Sequence, residues 1–242
     1  MARAAAIRSI SGVFGALRLR RRGAKMRAMP EPLDELAPED LLARGDALLR
    51  ELGQHGDLLP VAAFLALAQE ELREALAERR EAGARAAAAY LACDAADRRL
   101  DDTIAALSLA ALELGGTDTR DPLFARLFPE GPQAYTCAPV EEELRLVREL
   151  RDRLRGHPLE EAWDEPLAEG SREVEAAGRK LAAALDEEAK AWARLRNAEI
   201  AWRLRARLAR AALERYLAGR DRALLDTFDR LLPLPDGADR PR

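Results

Sequence analysis

The chain has 242 residues, a length that accommodates one large or two small domains with an ample core. Hydrophobic residues make up 48% of the sequence and aromatic residues only 5%, so leucine and alanine must build most of the interior. The net charge of −4 is too small to indicate a partner, and no apolar run reaches the roughly eighteen residues of a membrane span. Two cysteines make no disulfide framework, which favours a reducing, cytoplasmic location.

Residues 1–30 carry eight basic residues and no acidic one. Four apolar residues recur within them at helical spacing: Ile7, Ile10, Phe14 and Leu17. That pattern is typical of a basic amphipathic helix lying on an anionic membrane or on nucleic acid. A disordered tail, or a stretch upstream of the true start, explains the same residues, because Met26 and Met29 could each be the initiator. We predict that residues 1–30 are a basic arm that is disordered or not part of the fold.

The most regular stretch, residues 60–114, predicts one unbroken long helix rich in alanine, leucine, glutamate and arginine. Its apolar positions, here called the seam, step alternately by three and four, which is the signature of helices wound on one another. A shorter helix is predicted over residues 38–52, with a proline and two acids at its start. Gly115 and Gly116 are expected to end the long helix.

The same order of elements then returns, with a short helix over residues 139–155 and a long helix over about 165–218. Thirteen seam positions of this second long helix lie 102 positions after their counterparts. Because 102 is not a multiple of seven, a shared heptad alone does not produce the match. After the long helices the offset becomes 104, which pairs Phe124, Arg126, Leu127 and Pro129 with Phe228, Arg230, Leu231 and Pro233.

We therefore predict two tandem repeats, about 36–131 and 138–237, within a single helical domain of residues 31–242. Two similar helices without common ancestry are the alternative interpretation.

The predicted fold class is all-α and internally duplicated. Two helices of about 55 residues pair antiparallel as a coiled-coil-like bundle, and two shorter helices buttress them. A parallel pair would set Asp97 against Glu199 in a poorly solvated seam, where like charges disfavour ionisation. An antiparallel pair sets Asp97 opposite Arg179, and Glu199 opposite Arg79 or its neighbours. These four polar seam residues are predicted to be structural.

Candidates for chemistry are few. Four aspartates cluster on the first long helix: Asp94, Asp97, Asp101 and Asp102. Arg98 and Arg99 lie among them and are expected to neutralise them, whereas di-metal sites in bundles need Glu-x-x-His pairs. His55 and His157 occupy equivalent positions, and a histidine capping the end of a short helix explains both. With no nucleophile motif and no phosphate-cradling loop, we predict no catalytic, metal or cofactor site, and hence no enzyme.

The second long helix becomes basic beyond its midpoint, since residues 194–222 hold nine arginines against three acids. Six of these arginines form a candidate surface for an anionic partner: Arg194, Arg196, Arg203, Arg205, Arg207 and Arg210. A solvated face, or one docked on the acidic residues 31–57 of the same chain, explains the same pattern.

These observations favour a non-enzymatic helical scaffold or adaptor. It is expected to bind a protein partner and to self-associate through a leftover apolar stripe, with no small-molecule substrate. The alternative is a binding module for nucleic acid or an anionic membrane surface, which would use the arginine-rich helix and the basic arm.

Overall fold

The computed structural model describes residue 33 and residues 36–218 and 222–232. Its elements in chain order are α1 (Pro38–Gly53), a 3₁₀ turn (Gly56–Leu58), α2 (Leu59–Leu114), α3 (Pro122–Leu127), α4 (Gln133–Thr136), α5 (Val140–Leu154), α6 (Glu160–Tyr216) and α7 (Ala223–Leu231). No strand occurs in these described ranges, so the predicted all-α class is confirmed. The predicted basic arm, residues 1–30, and the matched Pro233 lie outside the described residues.

The boundaries of α2 follow its local sequence signals. The helix begins at Leu59, so that Pro60 lies in the first turn, where a missing N–H costs no hydrogen bond. It ends at Leu114, after which Gly116 adopts a left-handed φ of 69°. The amide of Thr117 then donates to the carbonyl of Leu112 at 2.7 Å. The predicted end of this helix at a glycine pair is confirmed.

Helix α6 begins earlier than predicted, at Glu160, and so contains Pro166 in its interior. The carboxylate of Glu160 accepts a hydrogen bond from the amide of Gly156 at 2.6 Å. Arg151 of α5 donates two hydrogen bonds to Asp164, at 2.8 and 3.0 Å. These contacts hold the first turns of α6 and offset the backbone hydrogen bond that Pro166 cannot make.

The described residues belong to two compact units, each of which contains half of both long helices. The middle unit, residues 86–184, contains the end of α2, then α3, α4 and α5, and the start of α6. The terminal unit, residues 33–85 and 185–232 where described, contains α1, the start of α2, the end of α6, and α7. Each unit therefore combines part of one predicted repeat with part of the other.

Within each unit α2 and α6 run in opposite directions, which is the predicted direction. In the terminal unit three contacts show it: Gln69 with Trp202 at 2.7 Å, Glu71 with Arg205 at 3.0 Å, and Glu78 with Arg194 at 3.0 Å. In the middle unit Arg99 pairs with Glu173 at 2.8 Å. A Cβ added to Gly170 would lie 3.0 Å from Leu100, so the two helices approach closely there.

The register of α2 against α6 differs from the prediction in the terminal unit. Arg79 does not meet Glu199, because its guanidinium lies 4.2 Å from the ring centre of Trp192. Glu199 instead pairs with Arg203 of its own helix at 3.0 Å. The prediction aligned the centres of the two helices, whereas the observed register follows the fit of particular side chains.

The same shift occurs in the middle unit. Since Arg99 pairs with Glu173, Asp97 lies at about the level of Glu175 rather than of Arg179. Arg179 pairs with Glu175 in its own helix, at 3.8 Å. Its expected pairing across the seam is replaced by a local, exposed ion pair.

Each unit buries its own hydrophobic cluster. The terminal cluster includes Leu41, Leu48, Leu52, Leu65, Leu72, Trp202, Ala206, Leu213 and Phe228. The middle cluster includes Leu100, Ile104, Leu107, Phe124, Leu127, Tyr135, Leu150, Leu154 and Leu167. Because burial of one such leucine or phenylalanine contributes about 1.5–3 kcal/mol, these clusters are the main source of stability of each unit.

A buried glutamine joins three helices of the terminal unit. Gln69 of α2 is 1% exposed, and its Oε1 accepts a hydrogen bond from Nε1 of Trp202 on α6 at 2.7 Å. Its Nε2 donates to the carbonyl of Leu42 and the carboxylate of Asp46, both on α1, at 2.6 and 2.7 Å. A Cβ at Gly45 would overlap the side-chain amide of Gln69, so only glycine lets α1 approach this closely. The buried amide is thereby satisfied.

We predict that Gly45→Ala lowers the free energy of unfolding by about 1–3 kcal/mol, because the added methyl displaces the Gln69 amide from its hydrogen bonds. The higher helix propensity of alanine opposes this loss by up to about 1 kcal/mol. The control is Gly178→Ala inside α6, where no atom lies within 4 Å of an added Cβ, and it should be neutral or stabilising. Urea unfolding followed by circular dichroism measures both variants. Equal effects of the two substitutions would contradict the close approach.

The hydrogen bonds of Gln69 can be tested separately. Gln69→Met keeps the side-chain volume but leaves the indole N–H of Trp202 without its acceptor, which should cost about 1–3 kcal/mol. Ser171, which lies 102 positions later, donates to the carbonyl of Leu167 in its own helix at 2.8 Å. Ser171→Ala is therefore the control and should cost less than about 0.5 kcal/mol. If thermal unfolding shows Gln69→Met to be as stable as the wild type, the anchoring role is wrong.

Candidate interaction surface

Arg203, one of the six predicted surface arginines, faces the interior of the terminal unit. Its side chain is 15% exposed and donates to the carbonyls of Leu33 and Leu36 at 3.2 and 2.9 Å. It also pairs with Glu199 at 3.0 Å. Arg203 therefore fastens the segment before α1 to α6.

Three more of these arginines are paired with acids of the same chain. Arg194 pairs with Glu78 at 3.0 Å, Arg205 with Glu71 at 3.0 Å, and Arg210 with Asp229 at 2.5 and 2.9 Å. Arg196 and Arg207 are exposed. Intrachain pairing thus neutralises much of the positive charge that the sequence concentrates on α6.

The contacts of α2 and α6 distinguish two sides of this helix pair in the terminal unit. On one side Arg73 and Arg80 of α2 pair with Asp46 and Glu39 of α1, both at 2.9 Å. Arg210 of α6 reaches α7 on this side. The opposite side carries the bridges from α2 to Arg194 and Arg205.

The side opposite α1 and α7 exposes five large apolar residues: Phe64 (40%), Leu67 (64%), Ile200 (58%), Leu204 (54%) and Leu208 (51%). Spacings of three on α2 and four on α6 place each set in a stripe along its helix. The guanidinium of Arg205 lies 6.0 Å from the ring centre of Phe64, so the two stripes lie on the same side of the helix pair with Arg205 between them. We call these five residues the open face.

The positions offset by 102 in the middle unit are different in character. They are Pro166, Glu169, Arg98, Asp102 and Ala106. Several buried positions related by the same offset are apolar in both units, as in Leu65 with Leu167 and Trp202 with Leu100. The large apolar residues of the open face are therefore not required for packing the helices.

Three aromatic residues of the seam are not in the core, and the first of them, Tyr90 of α2, is 43% exposed. Trp202 is fully buried, but Trp192 is 48% exposed beneath Arg79, and Tyr216 is 36% exposed. The open face lies outside the seam, so the heptad pattern did not predict its position. The sequence pattern that could have indicated the open face is the spacing of four between Ile200, Leu204 and Leu208, which lie outside the seam.

The aspartate cluster of α2 lies in the middle unit, where Asp94 pairs with Arg98 at 2.7 Å. Burial raises the pKa of the neighbouring Cys93 thiol, and the charges of Asp97 and Asp94 raise it further. A thiol held protonated is a poor nucleophile. In the part of the chain that the structure describes, no group of three or more His, Cys, Asp or Glu side chains could hold a metal ion. None of the helices in that part is long and apolar enough to cross a membrane.

A depression of about 390 Å³ lies at the end of the terminal unit. Glu51, His55, Asp57 and Tyr216 contribute to its walls, and the hydroxyl of Tyr216 bonds to the carboxylate of Asp57. These four side chains are half-buried or exposed, so the depression is a shallow surface and not an enclosed pocket.

His157 is 4% exposed and caps the start of α6, not the end of α5. Its Nδ1 accepts a hydrogen bond from the amide of Leu159 at 3.1 Å. Burial lowers the pKa of its imidazole, a contact with the backbone of Leu123 opposes this shift, and the charge of Arg126 adds to it. The side chain is therefore held neutral as part of the helix start.

This lowered pKa predicts a pH dependence of stability. The unfolded chain binds a proton at His157 below about pH 6.5, whereas the folded chain does so only at lower pH, so stability falls as the pH drops through that window. His157→Gln should flatten the profile of unfolding free energy between about pH 7.5 and pH 5. Ser171→Ala, which changes no titratable group, should follow the wild type. Parallel profiles for the wild type and His157→Gln would contradict this.

The chain matches no family model, and it resembles no curated protein or solved structure. The open face and the paired arginines are therefore the features from which a function is inferred.

Proposed function

We propose that this chain is a non-enzymatic helical scaffold or adaptor that binds a protein partner through the open face. The observation that carries this proposal is the set of five large apolar side chains that neither α1 nor α7 covers. The largest exposed apolar patch of a protein is often a functional site, and patches larger than a few hundred Å² mark protein interaction. Glu71, Glu78, Arg194 and Arg205 lie beside the patch and supply the polar rim that such sites have.

The non-enzymatic part of the proposal is supported by the residues that could have carried chemistry. Cys93 has a raised pKa, and His157 is buried as a helix cap. Both cysteines are free, which supports a cytoplasmic location.

We also propose that the two repeats arose by duplication within one domain. The burial of apolar residues at matched positions supports this duplication, for example Leu48 with Leu150 and Leu52 with Leu154. With an offset of 104, Phe228 and Phe124 are both buried as well.

Binding to nucleic acid or an anionic membrane has less support. At least four of its six candidate arginines are engaged within the chain, and Arg203 is largely buried. Residues 1–30, on which that function would also depend, lie outside the described residues.

The test is affinity purification of the full chain from its native host, alongside Leu204→Asp and the control Leu109→Asp. Leu109 is 61% exposed in the middle unit and matches Leu204 in type and exposure. We expect a protein to be recovered in stoichiometric amount with the wild type and the control but not with Leu204→Asp. After purification that protein should bind the chain in a calorimetric titration.

A different result would favour binding to nucleic acid or membranes. The proposal would be overturned by steeply salt-dependent binding to DNA or anionic vesicles that is lost with Arg196→Glu and Arg207→Glu and kept with Leu204→Asp.

A further inference from the structure

We propose that His157 is a pH-sensitive latch, which holds the first turns of α6 in place and releases them when its imidazole is protonated. The proposal is independent of the open face, because His157 and its neighbours belong to the middle unit. It follows from the way His157 begins the helix, from the proline that comes after the first turns, and from the contacts of the residues between them. We call residues 157–165 the latched segment.

His157 begins α6 as a hydrogen-bond acceptor. Its Nδ1 accepts from the amide of Leu159 at 3.1 Å, and its carbonyl accepts from the amide of Glu160 at 2.9 Å. The side chain thus satisfies one of the amides that a helix start leaves without a partner. Protonation places a hydrogen on Nδ1, because both ring nitrogens of an imidazolium are donors. This cap therefore exists only while the ring is neutral.

The surroundings of His157 do not compensate a positive charge. The residue is 4% exposed, and its burial is the main reason that the pKa of the imidazole is lowered. The charged side chains on the surrounding elements are Asp121 and Arg126 of α3, Arg151 and Arg155 at the end of α5, and Glu160, Glu161, Asp164 and Glu165 of α6.

Most of these acids are held by other groups. Asp121 accepts from the amide of Leu123 at 2.8 Å, and Glu160 accepts from the amide of Gly156 at 2.6 Å. Asp164 and Glu165 accept from Arg151 and Arg172, at 2.8 and 2.6 Å. The charge of Arg126 acts on the imidazole directly and opposes its protonation. A protonated ring is therefore expected to leave its buried position.

Pro166 separates the latched segment from the rest of α6. Because it has no N–H, it cannot donate to the carbonyl of Ala162, and the ladder of helical hydrogen bonds is interrupted there. Only residues 160–165 of the helix precede this break. A helical piece of that length is unstable in water by itself, since its few hydrogen bonds do not offset the cost of nucleation. The segment can therefore open while the remainder of α6 stays helical.

The other contacts of the latched segment do not change in the pH range where an imidazole titrates. Leu159 and Trp163 are partly buried against the middle cluster. The hydrogen bonds from Arg151 hold the pKa of the Asp164 carboxyl below its usual range, so this ion pair persists at pH 5. The ordinary pKa of an imidazole, about 6.5, lies inside the interval from pH 7.5 to pH 5. Loss of the His157 cap is thus the event that opens the segment, and it uncovers Leu159 and Trp163.

The matched histidine shows that the device belongs to the middle unit. His55 is exposed, and its side chain caps no amide of the turn that follows it. Pro60 is the second residue of α2, so no helical turn precedes it. The terminal unit has neither the cap nor a separable first segment, and it should not respond in the same way.

Hydrogen exchange with mass spectrometry tests the latch on the full chain. Protection factors are compared at pH 7.5 and pH 5, because they divide out the intrinsic pH dependence of exchange. We expect protection of residues 159–165 to fall at least about five-fold at pH 5, the factor that loss of an N-cap typically gives. Residues 167–184 of the same helix and the terminal unit should keep their protection. Unchanged protection of residues 159–165, or an equal loss throughout the middle unit, would overturn the proposal.

Two substitutions separate the cap from the charge. His157→Asn keeps an acceptor for the amide two residues ahead and does not titrate, so it should retain wild-type protection at both pH values. His157→Leu removes the acceptor and should reduce protection of residues 159–165 at both. Ser171→Ala is the control and should open at pH 5 as the wild type does. If His157→Asn also opens at pH 5, a carboxylate controls the segment and the proposal is wrong.

Fluorine NMR of the chain labelled with 5-fluorotryptophan gives a second readout. Trp163 lies in the latched segment, whereas Trp202 is fully buried in the terminal unit. We expect the Trp163 resonance to shift or broaden between pH 7.5 and pH 5 in the wild type but not in His157→Asn, and the Trp202 resonance to stay constant in both. A wild-type Trp163 resonance that does not respond to pH would contradict the release.

Discussion

The hydrogen bond from Trp202 to Gln69 is the contact on which the terminal unit depends. It fixes which residues of α2 and α6 lie side by side, and the same amide holds α1 through Leu42 and Asp46. A seam of leucine and alanine accepts several registers at similar energy, whereas a buried polar pair is satisfied in only one. The two stripes of the open face lie on the same side of the helix pair because this register holds.

Local signals made the helices predictable. Proline in the first turn and glycine after the last one depend only on neighbouring residues, so the bounds of α2 could be predicted from the sequence. The start of α6 could not be predicted in this way, because Pro166 alone indicates a helix that begins close to it. The hydrogen bonds from Arg151 to Asp164 stabilise the helical turns that precede this proline. The register of α2 against α6 could not be predicted from the sequence either, because Gln69 lies outside the heptad seam.

The candidate surface was predictable only in part. Counting residues identified the arginines of α6, but their partners Glu71 and Glu78 are more than a hundred positions away, and pairing with them removes much of the cationic character. The apolar stripe could be expected in general terms. Its position required knowing which side of the helix pair α1 and α7 occupy. The contrast between open-face residues and their charged counterparts in the middle unit becomes informative only once that side is known.

Hydroxyl-radical footprinting with mass spectrometry tests most directly that the open face is the binding surface, because oxidation reports the solvent exposure of individual side chains. The full chain would be oxidised when dilute, when concentrated and in native extract. We expect oxidation of Phe64, Leu67, Leu204 and Leu208 to fall on concentration or in extract, while oxidation of Leu91 and Leu109 in the middle unit stays constant. Open-face residues that are oxidised equally under all three conditions would contradict a binding role for this surface.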